Sequence, residues 1–217
     1  LCMMIVLSLV FSNIFKFRVE NFPLYLLSGQ IIFNFFSDAT TSAMSAVINN
    51  AALIKKVYMP KYLFVISRVF SSFINLLASF TALLVVMIAT RAELHWKVVF
   101  AVIPLGFIVV FSLGVGLLLS ALVVKFRDIM HLYSVFITAL MYLTPVIYPM
   151  SILPNWLTPI VELNPITNIM LMFRDVMLYN TIFGWKSIII AIVEAGLALV
   201  IGLRVFYKAQ DEFILNI

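Results

Sequence analysis

The 217-residue chain is 65% hydrophobic and only 11% charged, where an ordinary soluble domain carries roughly a quarter charged residues, so its composition is that of an integral membrane protein. The net charge of +5 comes from 14 basic residues scattered between apolar spans; no basic patch interleaved with aromatics exists, which excludes a nucleic-acid surface and makes the charge a matter of membrane topology. Cys2 is the single cysteine, so an intrachain disulfide is excluded too.

The opening run at 1–15, LCMMIVLSLVFSNIF, covers about 22 Å as a helix, short of the roughly 30 Å hydrocarbon core. It is expected to be the outer half of a first membrane helix whose start precedes Leu1. After a polar loop at 16–21, residues 22–48 are long enough to cross, and Pro23 suits the first turn, where its missing N–H costs nothing. The later half of this span, SDATTSAMSA at 37–46, is small and hydroxylated. Such residues serve tight helix packing or the wall of a polar passage, and Asp38 favours the passage, because ionisable groups within spans face bundle interiors or water-filled cavities.

Residues 49–68, NNAALIKKVYMPKYLFVISR, form the elbow around which the chain is organised. Lys55, Lys56, Lys61 and Arg68 concentrate there as in a short cytoplasmic loop, and Pro60 marks a helix boundary. A short amphipathic helix is expected, with Ala52, Leu53, Val57 and Tyr58 as its apolar positions, serving as an interface anchor or as a handle for a partner.

The chain returns through 62–90, where Phe70, Phe73, Leu77 and Phe80 recur at helical spacing as a packing or lipid face. The connection 91–97 carries Trp96, suited to the interfacial belt, and His95, which has no neighbouring histidine or cysteine with which to hold a metal. Residues 98–124 form the next span, with Gly106, Gly114 and Gly116 as expected close-packing positions; its LGVGL string lacks the phosphate-cradling loop, so the chain has no ATP site of that kind. KFRD at 125–128 makes a second cytoplasmic turn, in which Arg127 and Asp128 are either solvated or in contact with a partner.

A fifth span is expected over 132–149, carrying Tyr133, Phe136, Tyr142 and Tyr148. Pro145, Pro149 and Pro154 cannot share one straight helix, so the chain bends there. Residues 151–180 are too broken by prolines to cross and too apolar for a free loop: Trp156, Ile160, Ile166, Ile169, Met170 and Phe173 ask for burial. Two short helices dipping back into the outer leaflet satisfy both demands, since irregular backbone at membrane depth must be covered by protein or line a cavity. Glu162, Arg174 and Asp175 are candidates to pair within this hairpin. The last span, 182–206, carries Glu194 near its middle. The reading is thus one all-α membrane domain of six spans with a coupling elbow and a re-entrant hairpin. Eight basic residues fall on the elbow side against six on the other, which assigns the elbow and both chain ends to the cytoplasm. No HExxH, GxSxG or paired-carboxylate arrangement points to an enzyme.

The order of spans, the elbow NNAALIKKVYMPKYL, the KFRD turn, the outer TPVIYP and the NPIT of 164–167 followed by Arg174 together resemble the membrane subunit of an ABC-2 type exporter, in particular permeases for lipid-linked polysaccharides such as O-antigen, capsule or teichoic acid. The resemblance implies a bacterial cytoplasmic membrane, two copies forming a pore, and two copies of a separate cytoplasmic ATPase that carries the ATP and Mg, with no cofactor on this chain. It makes Asn49, Asn50, Leu53, Lys55, Lys56 and Tyr58 the coupling helix, with Arg127 and Asp128 beside it, and likens 151–180, with Trp156, Asn164, Pro165 and Arg174, to an extracytoplasmic gate. For the path of a sugar polymer the candidates are Phe33, Phe36, Tyr133, Tyr142 and Tyr148, with Asn34 and Asp38 as polar companions; each ring has packing or lipid contact as its alternative role. A permease for drugs or small lipids would share the fold, and a passive channel would need no ATPase.

Overall fold

A computed structural model of the chain describes residues 21–56, 59–90, 95–210 and 213, and over these it contains helices and no strand. Helix α1 (Phe22–Asn49) begins after Asn21, whose φ is 54°, with Pro23 in its first turn. It ends where the Asn50 side chain donates back to the Ala46 carbonyl at 2.7 Å. The short helix α2 (Ala51–Lys56) follows, then Pro60 and α3 (Tyr62–Ala89). A 3-10 turn, Trp96–Ala101, runs directly into α4 (Val102–Lys125). Next come α5 (Ile129–Leu143), the short α6 (Thr158–Glu162), α7 (Pro165–Met177) and α8 (Trp185–Ala209).

Four of these runs are long and apolar enough to cross a membrane: α1, α3, Trp96–Lys125 and α8. They match the spans expected at 22–48, 62–90, 98–124 and 182–206. The fifth expected span is shorter as a helix. Its 15-residue helix α5 reaches about 22 Å, less than the roughly 30 Å core. Thr144 turns to extended backbone at its end because the residue before a proline is pushed out of the helical region. The expected first span, 1–15, lies outside the described residues.

Helix α1 is the centre of the bundle, packed between α3 and α4; 61% of its most apolar stretch is buried, against 17% for α8. Phe36 stacks on Phe111 at 5.6 Å, and Gly116 sits against Ala43, whose methyl a Cβ there would strike. The pairs 36 with 111 and 43 with 116 advance together, so α1 and α4 run parallel. Helix α8 is held to α4 where Gly114 and Gly202 face each other, and a Cβ on either would overlap the opposing backbone. Two of the three expected close-packing glycines therefore hold, as small residues let helix backbones approach. Gly106 departs from that expectation, because nothing lies within reach of a Cβ there.

The aromatic row of α3 divides. Phe70 and Leu77 face outward, while Phe73 and Phe80 are half-buried, Phe80 meeting Phe173 edge-on at 6.2 Å. Two short helices do occupy the expected hairpin region. Helix α7 buries Ile166, Ile169, Met170 and Phe173 against α1, α4 and α8. Trp156 and Ile160, expected to need burial, are instead exposed.

Candidate functional site

Gln30, Asn34 and Asp38 lie four residues apart, and at 3.6 residues per turn they form one polar line along α1. Opposite them, Ser72, Asn75 and Ser79 make a matching line on α3. The two lines are the walls of a cleft of about 490 Å³, with Leu76 between them and Met141 of α5 at an edge. Ser72 is buried and donates its hydroxyl to Asp38 Oδ2 at 2.6 Å, so the carboxylate is held to the wall while Asp38 itself stays exposed. Asn34, Asn75 and Ser79 are also exposed. Amides, hydroxyls and one carboxylate along a channel of this kind can exchange hydrogen bonds with a hydroxyl-rich ligand in sequence, without one tight binding point.

Asn34 and Asp38 line the open groove. The aromatic candidates do not. Phe33 and Phe36 are each 3% exposed; one residue turns the helix by about 100°, which directs them into the core of the bundle. Tyr133 is buried, and its hydroxyl donates to Thr40 Oγ1 at 2.6 Å, so it ties α5 to α1 instead of facing a path. Tyr142 is 69% exposed, and the Tyr148 hydroxyl donates to the Tyr142 carbonyl at 2.8 Å; neither lines the cleft. Gln30, Ser72, Asn75 and Ser79 go unremarked in the sequence reading, although the helical spacing of 72, 75 and 79 was there to be read.

One turn nearer the start of α1, polar groups are closed off. Arg174 of α7 is 0% exposed and pairs with neither Glu162 nor Asp175, correcting that expectation. Its Nε donates to Ser28 Oγ at 3.3 Å. Nη1 donates to the Tyr25 hydroxyl and the Pro145 carbonyl, each at 2.8 Å, and Nη2 to the carbonyls of Tyr25 at 3.1 Å and Val146 at 3.0 Å. All five guanidinium donors are used. The absence of a side chain at Gly29 makes the room, since a Cβ there would overlap Arg174 Nη2. Asn164 caps α7 by accepting from the Ile166 N–H at 3.1 Å, and its amide donates to Thr144 Oγ1 at 2.9 Å. Pro165 fills the first turn of α7. The bend after α5, the start of α7 and the start of α1 are thereby fastened together. Glu194, on α8, is half-buried.

At the opposite end of α1, α2 exposes Ala52, Leu53, Lys55 and Lys56 and buries Ile54. The anchor is thus Ile54, which the expected apolar set omits; Val57 and Tyr58 of that set lie outside the described residues. Asn49 is exposed and Asn50 half-buried. Because α1 and α4 are parallel, the exposed turn holding Arg127 and Asp128 emerges at the same end as α2.

The sequence profile of the ABC-2 type transporter family matches residues 1–178. An O-antigen export system permease protein RfbA of Klebsiella pneumoniae is 24% identical over 206 residues, covering 94% of this chain and 79% of the relative. Its namesake in Myxococcus xanthus is 24% identical over 212 residues, covering 97% of this chain and 82% of that one. Crossing-length helices around a polar groove, together with a family match over most of the chain, make this a multi-pass membrane transport subunit: the chain belongs to the ABC-2 type transporter family.

Proposed function

We propose that the chain is the permease subunit of an ATP-driven exporter that moves a lipid-linked polysaccharide across a bacterial cytoplasmic membrane. The observation that carries this reading is the groove between Gln30, Asn34 and Asp38 on one wall and Ser72, Asn75 and Ser79 on the other, with Leu27, Ile31 and Phe35 among its apolar lining, a mixture of hydrogen-bonding groups and apolar surface suited to sugars. The names of the relatives, O-antigen export permeases, support the same substrate class.

Two copies facing each other across this groove would form the path. Two copies of a separate ATPase, carrying ATP and Mg, would dock on α2 and on the turn at Arg127 and Asp128, which share one end of the bundle. Leu53, with Lys55 and Lys56 on the same exposed helix, supplies the apolar and basic contacts of such a coupling helix. The segment before Phe22 and the α5 region would complete six spans, with both chain ends cytoplasmic. Helices α6 and α7, fastened by Asn164 and Arg174, would dip into the outer leaflet as the gate, with Trp156 at its exposed edge. ATP-driven closure of the ATPase pair would then move the membrane helices as bodies, a hinge or shear transition.

Reconstitution of the full-length permease with the ATPase encoded beside it tests this. ATP-dependent export of a lipid-linked glycan is expected, together with loss of ATPase co-purification when Ala52→Asp and Leu53→Asp are combined. Glycan passage that continues without ATP or ATPase would overturn the reading in favour of a passive channel.

A further inference from the structure

The charge of the groove carries a conclusion about its cargo. Asp38 is the charged residue among those lining the cleft; the other polar lining groups are the amides of Gln30, Asn34 and Asn75 and the hydroxyls of Ser72 and Ser79. No lysine, arginine or histidine is among the described lining residues. Arg68, one helical turn before Ser72 on α3, is exposed and is not among the residues lining the cleft. The Asp38 carboxylate cannot swing out of the way easily, because Ser72 holds Oδ2 at 2.6 Å. Asp38 is exposed to the cleft, and two copies of the chain facing each other would present two such acidic groups to one polymer.

We infer that this groove selects glycan chains without fixed negative charge and rejects polymers bearing phosphate in each repeat, with Asp38 as the specificity-determining residue. The inference rests on the export reading above. The phosphates that join a glycan to its lipid carrier pass once per chain, whereas a phosphate in every repeat meets Asp38 at each step of movement. The amides of Gln30, Asn34 and Asn75 can donate to and accept from sugar hydroxyls, and the hydroxyls of Ser72 and Ser79, which donate to Asp38 and to the Asn75 carbonyl, keep lone pairs that can accept from them.

The experiment uses the full-length permease with its ATPase in proteoliposomes and two lipid-linked probes of matched length, an uncharged hexose polymer and a poly(glycerol phosphate). The native protein is expected to export the uncharged probe about threefold faster or more, given like-charge repulsion between Asp38 and each phosphate. Asp38→Asn, which keeps an acceptor for Ser72, is expected to narrow that ratio, and Asp38→Lys to narrow or reverse it. Equal export of both probes by the native protein, or a ratio unmoved in exporting Asp38→Asn and Asp38→Lys variants, overturns the charge selection while leaving the export reading intact. Export of neither probe by native protein assembled with a hydrolysing ATPase overturns the export reading and this inference with it.

Discussion

Helix α1 carries two polar regions about one turn apart, and they are opposites. At Tyr25 and Ser28 the side-chain polar groups are spent inside the protein, on Arg174, the Tyr148 carbonyl and the Tyr25 carbonyl, and Arg174, 0% exposed, uses all five of its donors there. At Gln30, Asn34 and Asp38 the groups face an open cleft. A buried guanidinium, which stays charged, is tolerable only when its donors are fully met, so the first region is a fastening. The second has hydrogen-bonding capacity to spare, and spare capacity inside a membrane protein is what a polar cargo can use. Polar residues within a span are therefore not one class: the test is whether the protein itself consumes their hydrogen bonds.

Arg174→Ala leaves three carbonyls and two hydroxyls facing a void and is expected to lower stability by on the order of 3 kcal/mol or more. Thermal unfolding in detergent would read this as a large loss of Tm, with Arg174→Lys falling between the two because an ammonium cannot reproduce the fork. Gly29→Val drives a side chain into the guanidinium and the Val146 backbone, and the same assay should register about 1–3 kcal/mol. The groove should behave in the opposite way. Asn34→Ala combined with Asn75→Ala is expected to leave stability within about 0.5 kcal/mol while slowing glycan export severalfold; a stability loss comparable to that of Arg174→Ala would mean that the groove, too, is a fastening.

How far the residues could be read without the fold differs between these regions. The hydrophobic lengths of 22–48, 62–90, 98–124 and 182–206 translate directly into α1, α3, Trp96–Lys125 and α8, because crossing a bilayer demands roughly 20 apolar residues whatever the neighbours. Pro23, Pro60 and the Thr144–Pro145 step were legible for the same local reason: a proline acts on its own backbone and on the residue before it. Of the candidates for the groove, Asn34 and Asp38 were legible by their polarity. Phe33 and Phe36 were not, since an aromatic ring suits a sugar, a lipid or a core equally well, and its partner decides.

The sequence by itself determined that this chain spans a membrane, where its long helices start and stop, and that one end carries a basic elbow; each of these follows from local composition and local backbone chemistry. Only the tertiary structure decided that Ser72, Asn75 and Ser79 of α3 would complete the wall begun by Asn34 and Asp38. It also decided that Arg174 would turn from its acidic neighbours to carbonyls as many as 149 residues away in the chain, and that Ile54, not Leu53, would anchor α2. These are pairings between distant segments. Every hydroxyl, amide and guanidinium has several possible partners in the chain, and the packing of α1 against α3, α4 and α7 selects among them.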